Sequence, residues 1–435
     1  MDTMIKPVTK RAAVALCALT VAACGSTAGA GSTSTEHLNV KYGVLVALTG
    51  SSGSSGQLWY QASLVAVDYI NKTLKQMGLS NSISVTLSDS QDTQGMAASG
   101  VEAAQKLVSI DGVNVVMGDI LSSVTAAVAT AVTIPGHVVQ FTGGTATSLP
   151  QLNPTSGPPY LYQPPAANDI EAGVLTQIIA AAYGSNAAVN VGAENDAYGA
   201  GLAAEFKQDW IAQGGTIPEY VLYNETQPTL DTEADKLVEG SPAAWLFIDY
   251  CANFPKLSDP LQRTGQWDAA KSFGSDTLVG CQSQGYTAGA IPGMRAVRAD
   301  VSAGATLPQY QAYYQQTSTG GGAFQGWTAE AFDSVIVSFL AALEAKSSNP
   351  ETFAKYIGPL TNAPGTKYTF TQLNQAIAAI RKGQKVQYVG VSGPLNFKNN
   401  GAAGTAVFQV FEVQQGGASN VSSTVNYSGT PAATS

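Results

Sequence analysis

Hydrophobic and polar residues follow one another from residue 40 onward as a regular succession of strand-like and helix-like segments. Residues 40–48 form an apolar run typical of a buried strand, and residues 57–77 carry apolar side chains at helical spacing. Strands separated by helices predict a parallel sheet with helices on both faces. The further predicted segments are strands at 82–87, 113–117 and 138–141 and helices at 96–110 and 123–133.

A Pro-rich segment at residues 158–165 separates this first set from a second set of similar build. The second set runs from a helix at residues 170–183 to a short strand at residues 277–279. Helices return after Gly293, and the end of the chain is rich in strands. The pattern therefore predicts an α/β protein with two doubly wound parallel-sheet units. The predicted final strands are 393–397, 406–413 and 421–427.

The first residues of the chain have the features of a secretory signal peptide. Basic residues precede a short apolar run at residues 12–23, and Cys24 follows it directly. This arrangement predicts a bacterial lipoprotein signal at residues 1–23, with Cys24 acylated after its removal. An ordinary signal peptide with a chance cysteine is the alternative. Acyl chains on Cys24 would anchor the protein to the outer face of the cell membrane, with residues 24–37 as a flexible tether.

Charge is sparse in this sequence. Charged residues make up 12% of the chain and the net charge is -9, whereas soluble proteins usually carry about a quarter of charged residues. Polarity comes instead from Ser, Thr, Asn, Gln and Gly. No cluster of Lys and Arg follows Arg11, so we expect no nucleic-acid partner.

Two further cysteines remain in the mature chain. Cys251 and Cys281 each follow a strand-like run, at residues 244–248 and 276–280. An even number of cysteines in an oxidising compartment favours a disulfide. If the two strands are parallel neighbours, both sulfur atoms lie at the same edge of the sheet, within bridging distance. Two free buried thiols are the alternative.

The sequence shows no pattern of a catalytic or metal-binding site. Its two histidines are His37 in the tether and His137 at the start of a strand. The sequence contains neither a Gly-x-Ser-x-Gly elbow, nor a phosphate-binding loop, nor the Cys and His spacing of a zinc site. We therefore expect no enzyme activity, no metal and no cofactor.

Five short motifs occur in colinear order between residues 39 and 428. Together they resemble the leucine/isoleucine/valine-binding family of ABC-transporter solute receptors. The first motif includes the Thr49-Gly50 turn after the opening strand, and the fourth includes Tyr198-Gly199. The motifs are residues 43–50, 113–123, 143–146, 195–201 and 393–397.

The resemblance implies a type I periplasmic-binding clamshell, in which two lobes are joined by three crossovers. Lobe one would take residues 38–163 and 300–390, and lobe two residues 164–299 and 391–428, before a disordered tail at 429–435. A small-molecule solute would bind in the cleft, and closure about the hinge would bury it. The implied partners are an ABC permease and its ATPase, and we expect a monomer.

The resemblance also implies ligand-binding residues in lobe one. Ser122 and Ser123 open a helix after a strand, where a hydroxyl N-cap beside free backbone N–H groups forms a small anion site. Gly143, Gly144 and Thr145 follow the next strand, where glycines let backbone N–H groups approach a ligand. A plain helix cap and a flexible loop are the alternatives.

Aromatic side chains complete the expected cleft. Tyr198 lies near the start of a helix in the second unit and could press its ring against a ligand. Family members often carry an aromatic residue in the first loop, where this chain has Ser55. Trp59, one helical turn later, could supply the missing ring. The alternative for Tyr198 is an exposed aromatic residue at the start of a helix, and for Trp59 it is a core or surface position.

The residue that would hold a ligand ammonium departs from the family pattern. Gln282 stands where amino-acid binders use an acid, and a neutral amide is a poor counter-ion for a desolvated cation. Asp249, at the end of a strand, could take that role. The ligand therefore stays open among a branched-chain or other amino acid, an amide and a small carboxylate. A lipoprotein that senses a ligand for a signalling partner is the alternative function.

Overall fold

The first third of the chain folds into five strands with helices between them, as the hydrophobic pattern predicts. The computed structural model describes residues 37–281, 291–302, 304–317, 327–404, 406–414 and 418–427. The strands are β1 Leu38–Val46, β2 Ile83–Asp92, β3 Val115–Gly118, β4 Val139–Phe141 and β5 Leu161–Tyr162. The helices are α1 Gly53–Gln76, α2 Ala97–Ser109 and α3 Ser122–Val128, which continues as a π-helical turn at Ala129–Thr133. All neighbours pair in parallel, in the order β2-β1-β3-β4-β5.

The middle of the chain repeats this alternation. Its helices are α4 Asn168–Tyr183, α5 Gly199–Ala212, α6 Asp231–Leu237 and α7 Pro255–Thr264. Its strands are β6 Val189–Glu194, β7 Tyr220–Tyr223, β8 Ala244–Ile248, β9 Ser272–Gly274 and β10 Arg295–Ala299.

The last third of the chain contributes helices and strands to both of the units described above. Its helices are α8 Leu307–Thr317, α9 Thr328–Ala345, α10 Pro350–Thr361 and α11 Leu373–Arg381. Its strands are β11 Thr366–Tyr368, β12 Val386–Tyr388, β13 Ala406–Val413 and β14 Ser419–Tyr427. β11 and β12 form a small parallel sheet, whereas β13 and β14 join the second large sheet as antiparallel strands. The order of that sheet is β14-β13-β10-β9-β8-β6-β7.

Each large sheet is covered on both faces, as a parallel sheet requires. Alternate residues of β1 point to opposite faces, so Tyr42 and Val44 pack with α1 and α9 while Leu45 packs with α2 and α3. β8 shows the same division, because Leu246 lies in one core and Phe247 in another. Period-two burial of apolar side chains therefore holds each sheet between two layers of helices.

Two short segments differ from the predicted strands. Residues 277–278 lie in a 3-10 turn, residue 279 follows it, and the strand forms earlier, where Phe273 reaches the core. Residues 393–397 pair with no strand. Side chains there take the place of hydrogen bonds to a neighbouring strand. Phe397 N donates to Thr361 Oγ1 at 3.1 Å, and Asn362 Nδ2 donates to the carbonyl of Phe397 at 2.9 Å.

The two large sheets are the centres of two lobes. Lobe one is the five-stranded sheet with the elements packed on it, and lobe two is the seven-stranded sheet with its own helices. The chain crosses between them at residues 163–167, 300–306 and 389–405, of which 303 and 405 lie outside the described residues. Val391 and Leu395 still pack in the core of lobe one, beyond residue 390 where that lobe was expected to end. The other lobe bounds stay a prediction.

Candidate ligand-binding cavity

The carboxyl ends of strands from both sheets surround a cavity of about 170 Å³. From lobe one, the loops that follow β1, β3 and β4 line it, and from lobe two the loops that follow β8 and β9 line it. Open parallel sheets bind ligands at this end, because strand pairing stops there and leaves loop groups free to face a molecule. The cavity therefore lies where closure of the lobes would enclose a small solute.

Two tryptophan rings contribute to the apolar part of the lobe-one wall, next to aliphatic residues. Trp59 on α1 is fully buried, and its ring centroid lies 6.4 Å from that of Trp327, with 19° between the ring planes. Both rings line the cavity, as does Ser55, one turn before Trp59. A Cβ at Gly143 would lie 3.1 Å from Trp59 Cζ3. The loop after β4 therefore approaches the ring this closely because residue 143 is glycine.

The rest of that loop and the start of α3 hold each other in place. Thr145 lines the cavity, whereas Ser122 and Gly144 lie behind it. Ser122 Oγ accepts a hydrogen bond of 3.2 Å from a backbone N–H of the loop, and a Cβ at Gly144 would lie 3.0 Å from that oxygen. The N-cap of α3 is Leu121, so neither serine forms the expected hydroxyl cap. Ser123 is half-buried outside the cavity.

The lobe-two wall is charged. Glu171 on α4, Asp276 after β9 and Arg298 on β10 line the cavity, together with Tyr250 and Thr277. The backbone N–H of Asp276 donates to Glu171 Oε1 at 2.8 Å, which holds the Glu171 carboxyl beside Asp276. This wall therefore presents two carboxyl groups and one guanidinium to a ligand.

A third carboxyl group reaches the cavity from lobe one. Glu330, in the first turn of α9, is only 6% exposed and lines the cavity. Within the part of the chain that the structure describes, no ion pair joins Glu330, Glu171 or Asp276 to a cationic side chain. The charge of Arg298 acts on Asp276 and Glu330 from a longer distance, so one guanidinium offsets part of the charge of three carboxyl groups.

Burial raises the pKa of each of these carboxyl groups. The pKa of Glu330 rises to about 8, chiefly by desolvation, and the neighbouring charges of Asp333 and Asp276 add to the increase. Desolvation also raises the pKa of Glu171 well above its ordinary value, followed by the charge of Asp276. The pKa of Asp276 rises by burial, although a hydrogen bond from Tyr198 opposes the increase. A positive group in the cavity would favour the ionised forms.

Two predicted ligand residues of lobe two lie one layer behind the wall. Tyr198 is buried, and its hydroxyl donates to Asp276 Oδ1 at 2.7 Å and lies 3.0 Å from Thr277 Oγ1. Asp249 is fully buried, and its backbone carbonyl accepts a hydrogen bond from Thr277 Oγ1 at 2.6 Å. Both residues hold the wall residues in position. Gln282 lies outside the described residues.

A group of buried acids stands behind this second layer. Asp249 accepts a hydrogen bond from the hydroxyl of Tyr223 at 2.7 Å, and Asp196 accepts one from Tyr250 at 2.9 Å. Burial raises the pKa of Asp249 to about 7. The pKa of Glu194 rises to about 9, by burial and then by the charge of Asp249. Tyr250 connects this group to the cavity, because it also lines the cavity.

A disulfide joins two loops of the lobe-two wall. Cys251 and Cys281 are bonded, with their Cα atoms 5.0 Å apart. Cys251 follows β8 and lines the cavity. Cys281 follows the 3-10 turn Asp276–Leu278, where a strand was expected. The bridge therefore ties the loop after β8 to the loop after β9.

Sequence reasoning missed the charged residues of the cavity. Glu330 lies in the first turn of a mostly apolar helix, and Glu171 lies in the first turn after the Pro-rich crossover. For both residues, an acidic side chain at a helix position that the apolar pattern places on the buried face could have indicated a functional site. Asp276 falls at the start of the segment predicted as a strand, and Arg298 has no distinguishing local pattern.

The sequence model of the periplasmic binding protein family matches residues 39–418. A search of curated proteins finds no match. Among solved structures, a leucine-binding protein from Thermotoga maritima superposes with a TM-score of 0.70 at 16% sequence identity, over 89% of this chain and 99% of that one.

Two further solved structures share the fold. A branched-chain amino acid transporter substrate-binding protein from Streptococcus pneumoniae, in complex with isoleucine, has a TM-score of 0.67 at 17% identity and covers 89% of this chain and 99% of its own. A solute-binding protein of an ABC transporter from R. palustris, in complex with 4-hydroxybenzoate, has a TM-score of 0.67 at 13% identity, with coverages of 90% and 98%.

No helix in the described part of the chain is long and apolar enough to span a bilayer. The family match extends over most of the sequence and over elements of both lobes. The chain therefore belongs to the periplasmic binding protein family, and it is a solute-binding protein rather than an enzyme.

Proposed function

We propose that this protein is the extracytoplasmic receptor that delivers a solute to an ABC importer. The observation that carries the proposal is the cavity between the carboxyl ends of two sheets, lined by residues of both lobes. Contacts that a ligand makes only in the closed form shift the population toward that form. The permease would then recognise the closed receptor through the surface that closure creates.

The charges of the cavity favour an amine-bearing solute. Glu171, Asp276 and Glu330 face the cavity with three carboxyl groups, against the single guanidinium of Arg298. A ligand ammonium compensates buried carboxylates, whereas a benzoate would add a like charge. We therefore infer a zwitterionic amino acid, the ligand class named for the Thermotoga and Streptococcus relatives. Its carboxylate would pair with Arg298.

The first experiment measures proton release. An ammonium lowers the raised pKa values of the carboxyl groups, so its binding at neutral pH should release about one proton. Thermal shift ranks a panel of amino acids and benzoates, and calorimetry of the best ligand in two buffers of different ionisation enthalpy counts the protons. We expect amino acids to stabilise the protein and benzoates to have no effect. Stabilisation by benzoates alone would contradict the ligand class and keep the receptor role.

A charge-removing variant sharpens this test. Asp276→Asn preserves the shape of the wall and removes one negative charge, and we expect it to lower the affinity for the amino acid about 100-fold. Asp235→Asn, at an exposed acid on α6, makes the same change of net charge and should leave the affinity unchanged. Equal losses in both variants would point to a long-range charge effect and contradict a direct contact.

We further propose that Cys24 carries the lipid anchor, which lies outside the described residues. Cys24→Ser should release the protein from the membrane fraction into the medium, because the acylation site is lost. Cys17→Ser, in the same apolar segment, should leave the protein on the membrane. Membrane retention of Cys24→Ser would contradict the anchor.

Import and sensing differ in the partner protein that binds the closed form of the receptor. Cross-linking of the liganded protein in its own membrane should recover a permease and its ATPase. Recovery of a kinase or chemoreceptor instead would replace the importer by a signalling partner. Size-exclusion chromatography with light scattering tests the expected monomer.

A further inference from the structure

A second cavity, of about 460 Å³, lies at the hinge. All three crossovers or their flanking residues line it: Pro164 belongs to the first, Asp300 to the second and Leu395 to the third. Val407, at the start of β13, forms part of the same lining. We call this space the hinge cavity.

The hinge cavity adjoins the ligand cavity directly. Ala166, Ala299, Val301 and Glu330 line both spaces. Three of these residues have short or apolar side chains. A molecule bound between the lobes could therefore extend toward the hinge past these residues.

Glu330 stands at the junction with a carboxyl group that accepts no direct hydrogen bond. Among the described residues, this carboxyl group also has no ion pair within 4 Å, although Glu330 is only 6% exposed, and the charge of Arg298 acts on it from a longer distance. By contrast, the carboxyl group of Asp333, one turn further along α9, accepts bonds from Tyr388, from Val391 N and from Ser392. A largely buried carboxyl group without a hydrogen-bond donor is costly. The junction is therefore built for a group that the ligand brings.

We propose that the ligand site continues past Glu330 into the hinge cavity and takes amine-bearing solutes with a long apolar arm. Glu330 holds the positive group at the junction, and the arm lies against Pro164, Val301, Leu395 and Val407. This inference rests on the proposed amine ligand. It extends that proposal, because a site limited to the ligand cavity would accept short side chains alone.

The test is a chain-length series measured on the full mature protein. Straight-chain 2-amino acids from 2-aminobutyrate through norleucine to 2-aminooctanoate and 2-aminodecanoate are titrated by calorimetry. Each methylene that leaves water is expected to raise the affinity about fourfold, with the increase continuing beyond norleucine. An affinity that stops rising at norleucine overturns the extension and leaves the amine ligand in place.

Two variants locate the arm and the positive group. Val407→Trp fills the hinge cavity from a half-buried position, and we expect it to weaken binding of 2-aminodecanoate at least tenfold while 2-aminobutyrate binds as before. Val421→Trp, at a half-exposed position on β14 that lines neither cavity, is the matched control and should change neither. Glu330→Gln should weaken all members of the series by a similar factor.

The outcomes separate the two proposals. An equal effect of Val407→Trp on short and long members overturns the extension only, as does an unchanged affinity in Glu330→Gln. If no 2-amino acid binds while a benzoate does, the amine ligand is wrong and this inference falls with it. Melting temperatures of the variants close to that of the parent protein exclude misfolding as the cause.

Discussion

The two walls of the ligand cavity present different chemistry. The lobe-one wall consists mainly of the Trp59 and Trp327 rings and a glycine-containing loop, and its carboxyl group lies at the hinge side. The lobe-two wall carries Glu171, Asp276 and Arg298, with tyrosine and threonine hydroxyls around them and the ring of Phe408 beside them. We therefore expect the rings of lobe one to select the shape of a ligand, and the charged residues of lobe two, together with Glu330, to select its charge.

The layers behind the walls differ as well. Behind the lobe-one wall, Asp119 accepts hydrogen bonds of 2.7 Å from Thr93 and from the backbone of Leu121, and its carbonyl accepts one from Gly143 N at 3.0 Å. Behind the lobe-two wall stands the group of several acids around Asp249. Burial raises the pKa of Asp119 to about 6, whereas the pKa values of Asp249 and Glu194 in the lobe-two group rise to about 7 and about 9. We therefore expect the lobe-two group to titrate at higher pH than Asp119.

The largest effect is expected from a substitution that disrupts the lobe-one wall. Trp59→Ala removes a fully buried ring and its stack on Trp327, so we expect the free energy of unfolding to fall by about 3–5 kcal/mol. Affinity for large side chains should fall, while the preference for amino acids over benzoates should remain. Thermal melting and calorimetry measure both. Trp59→Phe is the milder control, and a changed charge preference in Trp59→Ala would contradict the separation of shape from charge.

A somewhat smaller effect is expected when the disulfide that holds the lobe-two wall is broken. Reduction of the Cys251–Cys281 bridge, which spans a sequence separation of 30, should destabilise the protein by about 2–4 kcal/mol. Ligand affinity should fall too, because Cys251 and Thr277 line the cavity. Melting curves with and without reductant give the change. A double variant, Cys251→Ala with Cys281→Ala, should not respond to reductant. Hydrogen exchange that rises equally in lobe one would argue against a local role.

The smallest expected effect is a pH dependence centred on lobe two. Folding raises the pKa of Asp249 to about 7 and that of Glu194 to about 9. A raised pKa stabilises the folded state below the unfolded pKa, and this contribution is lost as pH rises through the folded pKa. Stability should therefore fall by about 1–3 kcal/mol between pH 6 and pH 9.

Melting temperature as a function of pH measures this loss. Glu194→Gln should flatten the curve, since the amide carries no charge at any pH in this range. Glu239→Gln, at an exposed acid of the same lobe, should leave the curve unchanged. A steep curve that persists in Glu194→Gln would place the titrating groups elsewhere.

Most of the fold could be predicted because hydrophobic periodicity is a local property of the chain. β1 and α1, for example, lie within a few residues of their predicted positions. The two strands that were wrong are short and carry little periodic signal. At residues 393–397, side chains of Thr361 and Asn362 satisfy the backbone in place of a strand partner, and no local pattern announces such a partner.

Part of the candidate site could be predicted for the same reason. Ser55, Trp59, Gly143 and Thr145 belong to segments that follow strands, and a loop after a parallel strand lies at the carboxyl edge of its sheet. The structure places all four around the cavity. Their contact with a ligand stays a prediction until a binding experiment tests it.

The sequence by itself determined the succession of strands and helices, and with it the two parallel-sheet lobes and the loops that face each other. Only the tertiary structure decided that Tyr198 and Asp249 lie one layer behind the cavity. It also brought Glu171, Asp276 and Glu330 together from three distant segments of the chain. The reason is physical. Hydrophobic periodicity depends on neighbours in the chain, whereas the burial of a side chain and the charges around it depend on how distant elements pack.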